Sequence, residues 1–219
     1  MSTAQALLFI SGHCPHCPSV LTSLTEMIKS GTLSELRVVN IEQSPNVAHQ
    51  HGVRSVPWVQ IGPIVLTGLR SRQELEQWAR RVGDESALAE WIHIQLKEGA
   101  LDEVLDHIRR TPQWLAAVLP IVANPDASLN VRIGAGAILE AFAGTPALSD
   151  LIPQLIELSR HEDARVRADA CHYLGLTRDA RARTALEAAL QDTDADVREI
   201  AAESLAGLAP AGGREATTA

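Results

Sequence analysis

Cys14 and Cys17 frame Pro15 and His16 in the stretch His13-Cys14-Pro15-His16-Cys17-Pro18. Two cysteines at this spacing lie about one helical turn apart and can close a disulfide. At a helix N-terminus, exposed backbone N–H groups and the positive end of the helix dipole stabilise a thiolate. The chemistry this permits is dithiol exchange, with Cys14 as the exposed attacking sulfur and Cys17 behind it as the resolving one. The spacing is also compatible with half of a zinc site or with a chance pair. A zinc site would need two more ligands, for which the nearby histidines are the candidates. His49 and His51 are expected on the surface of a separate helix, which disfavours convergence on the cysteines, and no metal is expected.

The flanking elements suit a redox loop. Ala6-Leu7-Leu8-Phe9-Ile10 is a continuous apolar run ending at Ser11-Gly12, as in a strand buried on both faces. After the cysteines, Val20, Leu21, Leu24, Met27 and Ile28 have helical spacing, and Gly31 closes the helix. Leu36 to Ile41 predicts a second strand, parallel to the first through a right-handed crossover. Pro45 to His51 predicts a short helix stopped by Gly52. Trp58 to Ile61 and Ile64 to Leu66, separated by Gly62-Pro63, form a hairpin. Ser71 caps a last helix running to Val82 and ended by Gly83. The order is β-α-β-α-β-β-α.

Residues 6–83 resemble the thioredoxin fold in the short form of glutaredoxins. The resemblance rests on the CxxC at a strand-to-helix junction, on Val39-Asn40-Ile41-Glu42-Gln43-Ser44-Pro45, and on Gly52-Val53-Arg54-Ser55-Val56-Pro57. It implies that Pro57 is a cis-proline facing the dithiol and that the backbone of Val56 pairs with an extended substrate segment. It also implies catalytic roles for Cys14 and Cys17, with Pro15 and His16 tuning them. The chain departs from thioredoxin in three places. His13 replaces the tryptophan before the first cysteine, Leu8 occupies the place of a buried acid, and Val38 the place of a lysine, so proton transfer to Cys17 needs another group or water. Pro15-His16 is the dipeptide of a strongly oxidising disulfide oxidase. A histidine there stabilises the Cys14 thiolate, favours the reduced form and makes the disulfide more oxidising. His13 tunes the thiolate or simply ends the loop. Glutaredoxins bind glutathione through a Gly-Gly-Asp-like turn, whereas Thr67-Gly68-Leu69-Arg70-Ser71 carries no acid. A protein disulfide is therefore the expected substrate, with no cofactor beyond the Cys14–Cys17 pair.

The remainder of the chain changes character. Strand-like stretches end near residue 68, and Ala, Leu, Glu and Arg dominate thereafter. Three segments align without gaps, at Asn130–Leu139, Arg165–Leu174 and Asp196–Leu205, each with Val-Arg, then Ala, then Leu at equal offsets. Val, Ala and Leu four residues apart share one helical face. Each segment follows another apolar helix, at Trp114–Val122, Leu151–Leu158 and Ala185–Leu190. This is an array of helical hairpins with a period of roughly 31 to 35 residues. It resembles HEAT repeats over about residues 112–208, which implies a protein-recognition or dimerisation surface. Arg132, Arg167 and Arg198 are expected to bond loops or acids of adjacent repeats, with Asp163, Asp192 and Asp194 available. Cys171 reads as a small buried residue. Helices near 85–97 and 101–110 are expected to cap the solenoid and pack against the first domain. The expected division is 1–83, 84–111, 112–208 and a disordered tail at 209–219.

The fold class expected overall is an α/β thioredoxin-like domain followed by an all-α HEAT-like solenoid. The net charge of −8 argues against nucleic acid or an anionic membrane as partner. The absence of a basic start or a long apolar run points to a cytoplasmic protein, where a cysteine pair works transiently. Two functions fit. One is a thiol-disulfide oxidoreductase whose repeats bind a partner or a second copy; the other is a repeat adaptor whose CxxC domain senses redox state or docks.

Overall fold

In the computed structural model, residues 4–208 are described; the expected tail and the first three residues lie outside them. The chain divides into two compact units between Trp91 and Ile92.

The first unit holds a four-stranded sheet of order β2-β1-β3-β4, with β1 at Ala4–Ile10, β2 at Leu33–Asn40, β3 at Trp58–Ile61 and β4 at Ile64–Thr67. β1 and β2 are parallel, and the other two pairings are antiparallel. The helices are α1 (Cys17–Lys29), α2 (Pro45–Gln50) and α3 (Arg72–Arg80). The apolar run in β1 serves both faces of the sheet. Phe9 clusters with Val39, Trp58 and Ala48 of α2, while Leu8 points the other way and is equally buried. α1 and α3 pack against each other and against β1. The Ser71 hydroxyl caps α3 by accepting from the Glu74 N–H at 3.2 Å.

β2 starts three residues earlier than the apolar pattern predicts. The polar Ser34-Glu35 pair hides its beginning, yet Leu33 is 2% exposed and pairs with Ala4 before a register shift. Its end also moves, from Ile41 to Asn40, although the Ile41 N–H still donates to the Ile10 carbonyl at 2.9 Å.

A further helix, α4 (Glu85–Lys97), crosses the division between the units. Its Trp91 belongs to the first unit, where the indole N–H donates to the Val65 carbonyl at 2.7 Å.

The second unit continues with α5 (Leu101–Arg110), α6 (Leu119–Val122), α7 (Leu129–Ala141), α8 (Pro146–Ser149), α9 (Ile152–Leu158), α10 (Ala164–Leu176), α11 (Arg183–Ala189) and α12 (Ala195–Gly207). The three aligned segments fall inside α7, α10 and α12. Val131, Val166 and Val197, like Ala135, Ala170 and Ala201, are buried at the same helical offsets. The helix expected at Trp114–Val122 instead forms a 3-10 turn over Pro112–Val118, followed by the short α6. Pro120 has no N–H to give an α-helical ladder, which favours the tighter turn here. Asp163 and Asp194 cap α10 and α12 by accepting backbone N–H bonds at 2.8 and 2.9 Å.

The helical layers meet closely at Gly175 of α10. A Cβ added there would lie 2.7 Å from the Ser204 Cβ and 3.0 Å from its Cα on α12. Gly175→Ala is expected to destabilise the second unit by about 2 kcal/mol, because backbone must move to admit one methyl. Gly207→Ala, with nothing within 4 Å of the new atom, is expected to be neutral or slightly stabilising. Urea midpoints of the two variants check this difference in sign.

Candidate active site

The loop from Ser11 to His16 leaves the C-terminal end of β1 and enters α1 at Cys17. Cys14 and Cys17 form a disulfide with Cα atoms 5.5 Å apart. The Cys17 N–H donates to the Cys14 sulfur at 3.1 Å, so the helix N-terminus is aimed at that sulfur. The first turn of α1 contains no acidic residue to offset its positive end. The two sulfur-bearing residues differ in access, with Cys17 only 3% exposed and Cys14 partly exposed. Pro15 and His16 are both exposed, and His16 is the N-cap residue, with no capping bond from its side chain.

The Val56–Pro57 peptide bond is cis. Because β1 and β3 are antiparallel with Phe9 opposite Trp58, Pro57 stands at the sheet end from which the dithiol loop emerges. The Gly68 N–H donates to the Pro57 carbonyl at 2.9 Å, which ties the loop after β4 to this same end. That loop carries Leu69, 56% exposed. The sheet thus brings Cys14, Cys17, His16, Val56 and Pro57 to one end.

Two residues at this end carry contacts that local sequence patterns do not assign. Glu42, just past β2, accepts from both the Gly12 N–H and His13 Nδ1, each at 3.2 Å. Its own N–H donates to the Asn40 side chain at 2.8 Å. The signal for such a role is topological, since in a parallel pair the residue after the second strand lies beside the loop leaving the first. His13 is otherwise open to solvent, at 95% side-chain exposure.

The second is His51, expected on the surface beside His49. His49 is exposed, but the His51 ring packs 5.3 Å from Phe9 and 6.1 Å from Trp58, which corrects that expectation. Val47 and His51 are four residues apart, so both turn toward the sheet. Leu8 is 0% exposed and Val38 is 41% exposed.

In the repeats the three arginines bond protein groups. Arg132 reaches Asp169 at 3.4 Å. Arg167 makes a two-pronged pair with Asp192, both bonds 2.8 Å, and also donates to the His161 and Glu162 carbonyls. Arg198 donates to the Asp192 and Thr193 carbonyls at 2.8 and 3.0 Å, repeating the loop-bonding half of the Arg167 arrangement. Of the three acids expected to serve these arginines, Asp192 does so with its side chain, whereas Asp163 and Asp194 cap helices. The Arg167 hydrogen bonds hold the Asp192 carboxyl down at about 2, against a burial effect in the other direction. Cys171 is 0% exposed, and burial pushes its thiol up to about 11, which disfavours the thiolate.

Comparison with protein families agrees with both halves. Residues 6–80 match a family model of the thioredoxin domain, and residues 100–206 match one of HEAT repeats. A search of curated proteins finds no match to the chain. Among the described residues no helix is long and apolar enough to cross a membrane. With a disulfide at the strand-to-helix junction of its mixed sheet and Val-Arg helices stacked after it, the chain joins a thioredoxin-like domain to a HEAT-like helical region.

Proposed function

We propose that the protein is a thiol-disulfide oxidoreductase acting on protein disulfides or dithiols, with the helical repeats binding the partner. The observation that carries this reading is the asymmetry of the dithiol. Cys14 is accessible and receives a hydrogen bond from the helix N-terminus, while Cys17 is buried behind it.

In the reducing direction the Cys14 thiolate attacks one sulfur of a substrate disulfide. A Cys14–substrate disulfide forms, the substrate S–S bond breaks, and the other substrate sulfur leaves as a thiolate. Cys17, after losing its proton, attacks Cys14. The second substrate sulfur is released and the Cys14–Cys17 disulfide closes. Two electrons have passed to the substrate, and two protons complete its thiols. The same steps in reverse oxidise a substrate dithiol.

The cis Val56–Pro57 edge is the surface on which an extended substrate segment adds as a strand. The exposed His16 beside Cys14 biases the couple toward the oxidised substrate by stabilising the thiolate. A cytoplasmic setting fits this chemistry, because a transient pair rather than a structural disulfide is used there.

The test is insulin reduction with dithiothreitol as electron donor, together with the equilibrium potential of the Cys14–Cys17 couple against glutathione. We expect turnover above the dithiothreitol background and its loss in Cys14→Ser. A wild-type chain that neither reduces protein disulfides nor oxidises protein dithiols overturns the reading.

A further inference from the structure

The outer edge of β2 has features that the redox chemistry does not use. Among the described residues β2 has β1 as its one strand neighbour, so it borders the sheet. It is 8 residues long, and an edge of that length is a template for another strand unless something blocks it. Glu35, Arg37 and Val38 are exposed, and Leu36 is half-buried.

Side chains alternate along a strand, so Glu35 and Arg37 share one face while Leu36 and Val38 share the other. The charged pair borders a groove of about 300 Å³ lined also by Gln5, Leu7 and Gln60. Gln5 donates to one Glu35 oxygen at 3.1 Å and leaves the other oxygen for a further partner.

This pattern is complementary to itself in one antiparallel register. With a twofold axis at Leu36, Glu35 of each copy lies opposite Arg37 of the other, making two ion pairs on one face. The two Leu36 side chains then meet on the opposite face, flanked by the two Val38 side chains. Moving the axis to Arg37 sets arginine against arginine, and moving it to Glu35 sets carboxylate against carboxylate. Directly opposed like charges destabilise a strand pair, and opposite ones support it.

We propose that β2 is the contact surface for a second copy of this chain, pairing antiparallel through its edge about Leu36 to join two sheets into one. The contact is isologous, since each copy offers the same strand, and it closes as a dimer. It goes beyond the redox reading and does not depend on it. A strand edge buries less area than a standard permanent interface, so the dimer is reversible and sensitive to concentration and salt.

Sedimentation of the full oxidised chain tests this, with circular dichroism to establish that each variant is folded. The wild type is expected to pass from monomer to dimer with rising concentration, and added sodium chloride is expected to shift it back. Glu35→Arg and Arg37→Glu are each expected to weaken the dimer about tenfold or more, because each replaces both ion pairs by like charges. A mixture of the two single variants is expected to dimerise again, since one strand then carries two positive and the other two negative charges. A wild type that stays monomeric throughout overturns the proposal. So does a dimer indifferent to both charge reversals, or a mixture that fails to associate when both variants are folded.

Discussion

Cys17→Ser is expected to leave the protein covalently joined to its substrate. If Cys14 attacks first, the mixed disulfide forms normally, but the group that should break it is gone. Intramolecular attack by a thiol held one helical turn away has an effective concentration that no thiol in solution can match. Turnover of a protein disulfide is expected to fall at least about a hundredfold, while a dithiothreitol-sensitive adduct accumulates. Non-reducing electrophoresis and mass spectrometry would show the adduct linked through Cys14. Cys14→Ser is expected to form none, because Cys17 is 3% exposed and its sulfur is not presented to a bulky partner. An adduct in Cys14→Ser and none in Cys17→Ser would exchange the two roles. The trapped species would also identify the partner.

The largest effect on stability is expected at Arg167. Its side chain and that of Asp192 are 14% and 12% exposed, and the guanidinium also bonds the His161 and Glu162 carbonyls. Arg167→Leu leaves a largely buried carboxylate without its cation and two carbonyls short of a donor. The cost is about 3 kcal/mol, within the range for breaking one side of a buried pair.

The effect carries a pH signature. The Asp192 carboxyl lies below its unfolded range in the folded protein, so the folded state binds its proton less readily. Its stabilising contribution is therefore complete above the ordinary carboxylate range near pH 4 and is lost as pH falls toward about 2. Urea unfolding of the wild type across that interval is expected to show the loss, and Arg167→Leu to show a smaller one. Equal slopes for the two proteins would mean that another carboxylate carries the acid sensitivity. Because Arg167 begins in α10 and Asp192 precedes α12, the variant is also expected to loosen the last helical pair from the one before it.

The features that were legible in the sequence depend on local or strictly periodic chemistry. The CxxC between an apolar run and an amphipathic helix needs only neighbours along the chain. Trp58–Ile61 is bounded as expected because Pro57 and Gly62 punctuate it at both ends. The Val, Ala and Leu offsets reveal α7, α10 and α12 because each copy repeats the same buried face. Other features escape for a common reason, which is that their determinants lie in a different segment. Ser34-Glu35 is strand because β1 lies beside it, not because of its own propensity. Glu42 reaches Gly12 and His13 across the crossover, and His51 finds two aromatic rings from separate strands. The 3-10 turn over Pro112–Val118 is a further kind of miss, since apolar spacing marks a buried helical stretch without distinguishing the tighter winding that Pro120 favours.

The Trp91 indole on the Val65 carbonyl bears on how the redox unit can be excised. A fragment cut after Gly83, at the glycine that ends the thioredoxin-like pattern, would lose that donor and uncover the β4 surface which the tryptophan ring shields, at 2% exposure. Extending the fragment through Trp91 keeps the donor but leaves the ring on a frayed helix end. The smallest self-sufficient redox fragment therefore carries part of a helix that its family pattern, ending at residue 80, does not contain.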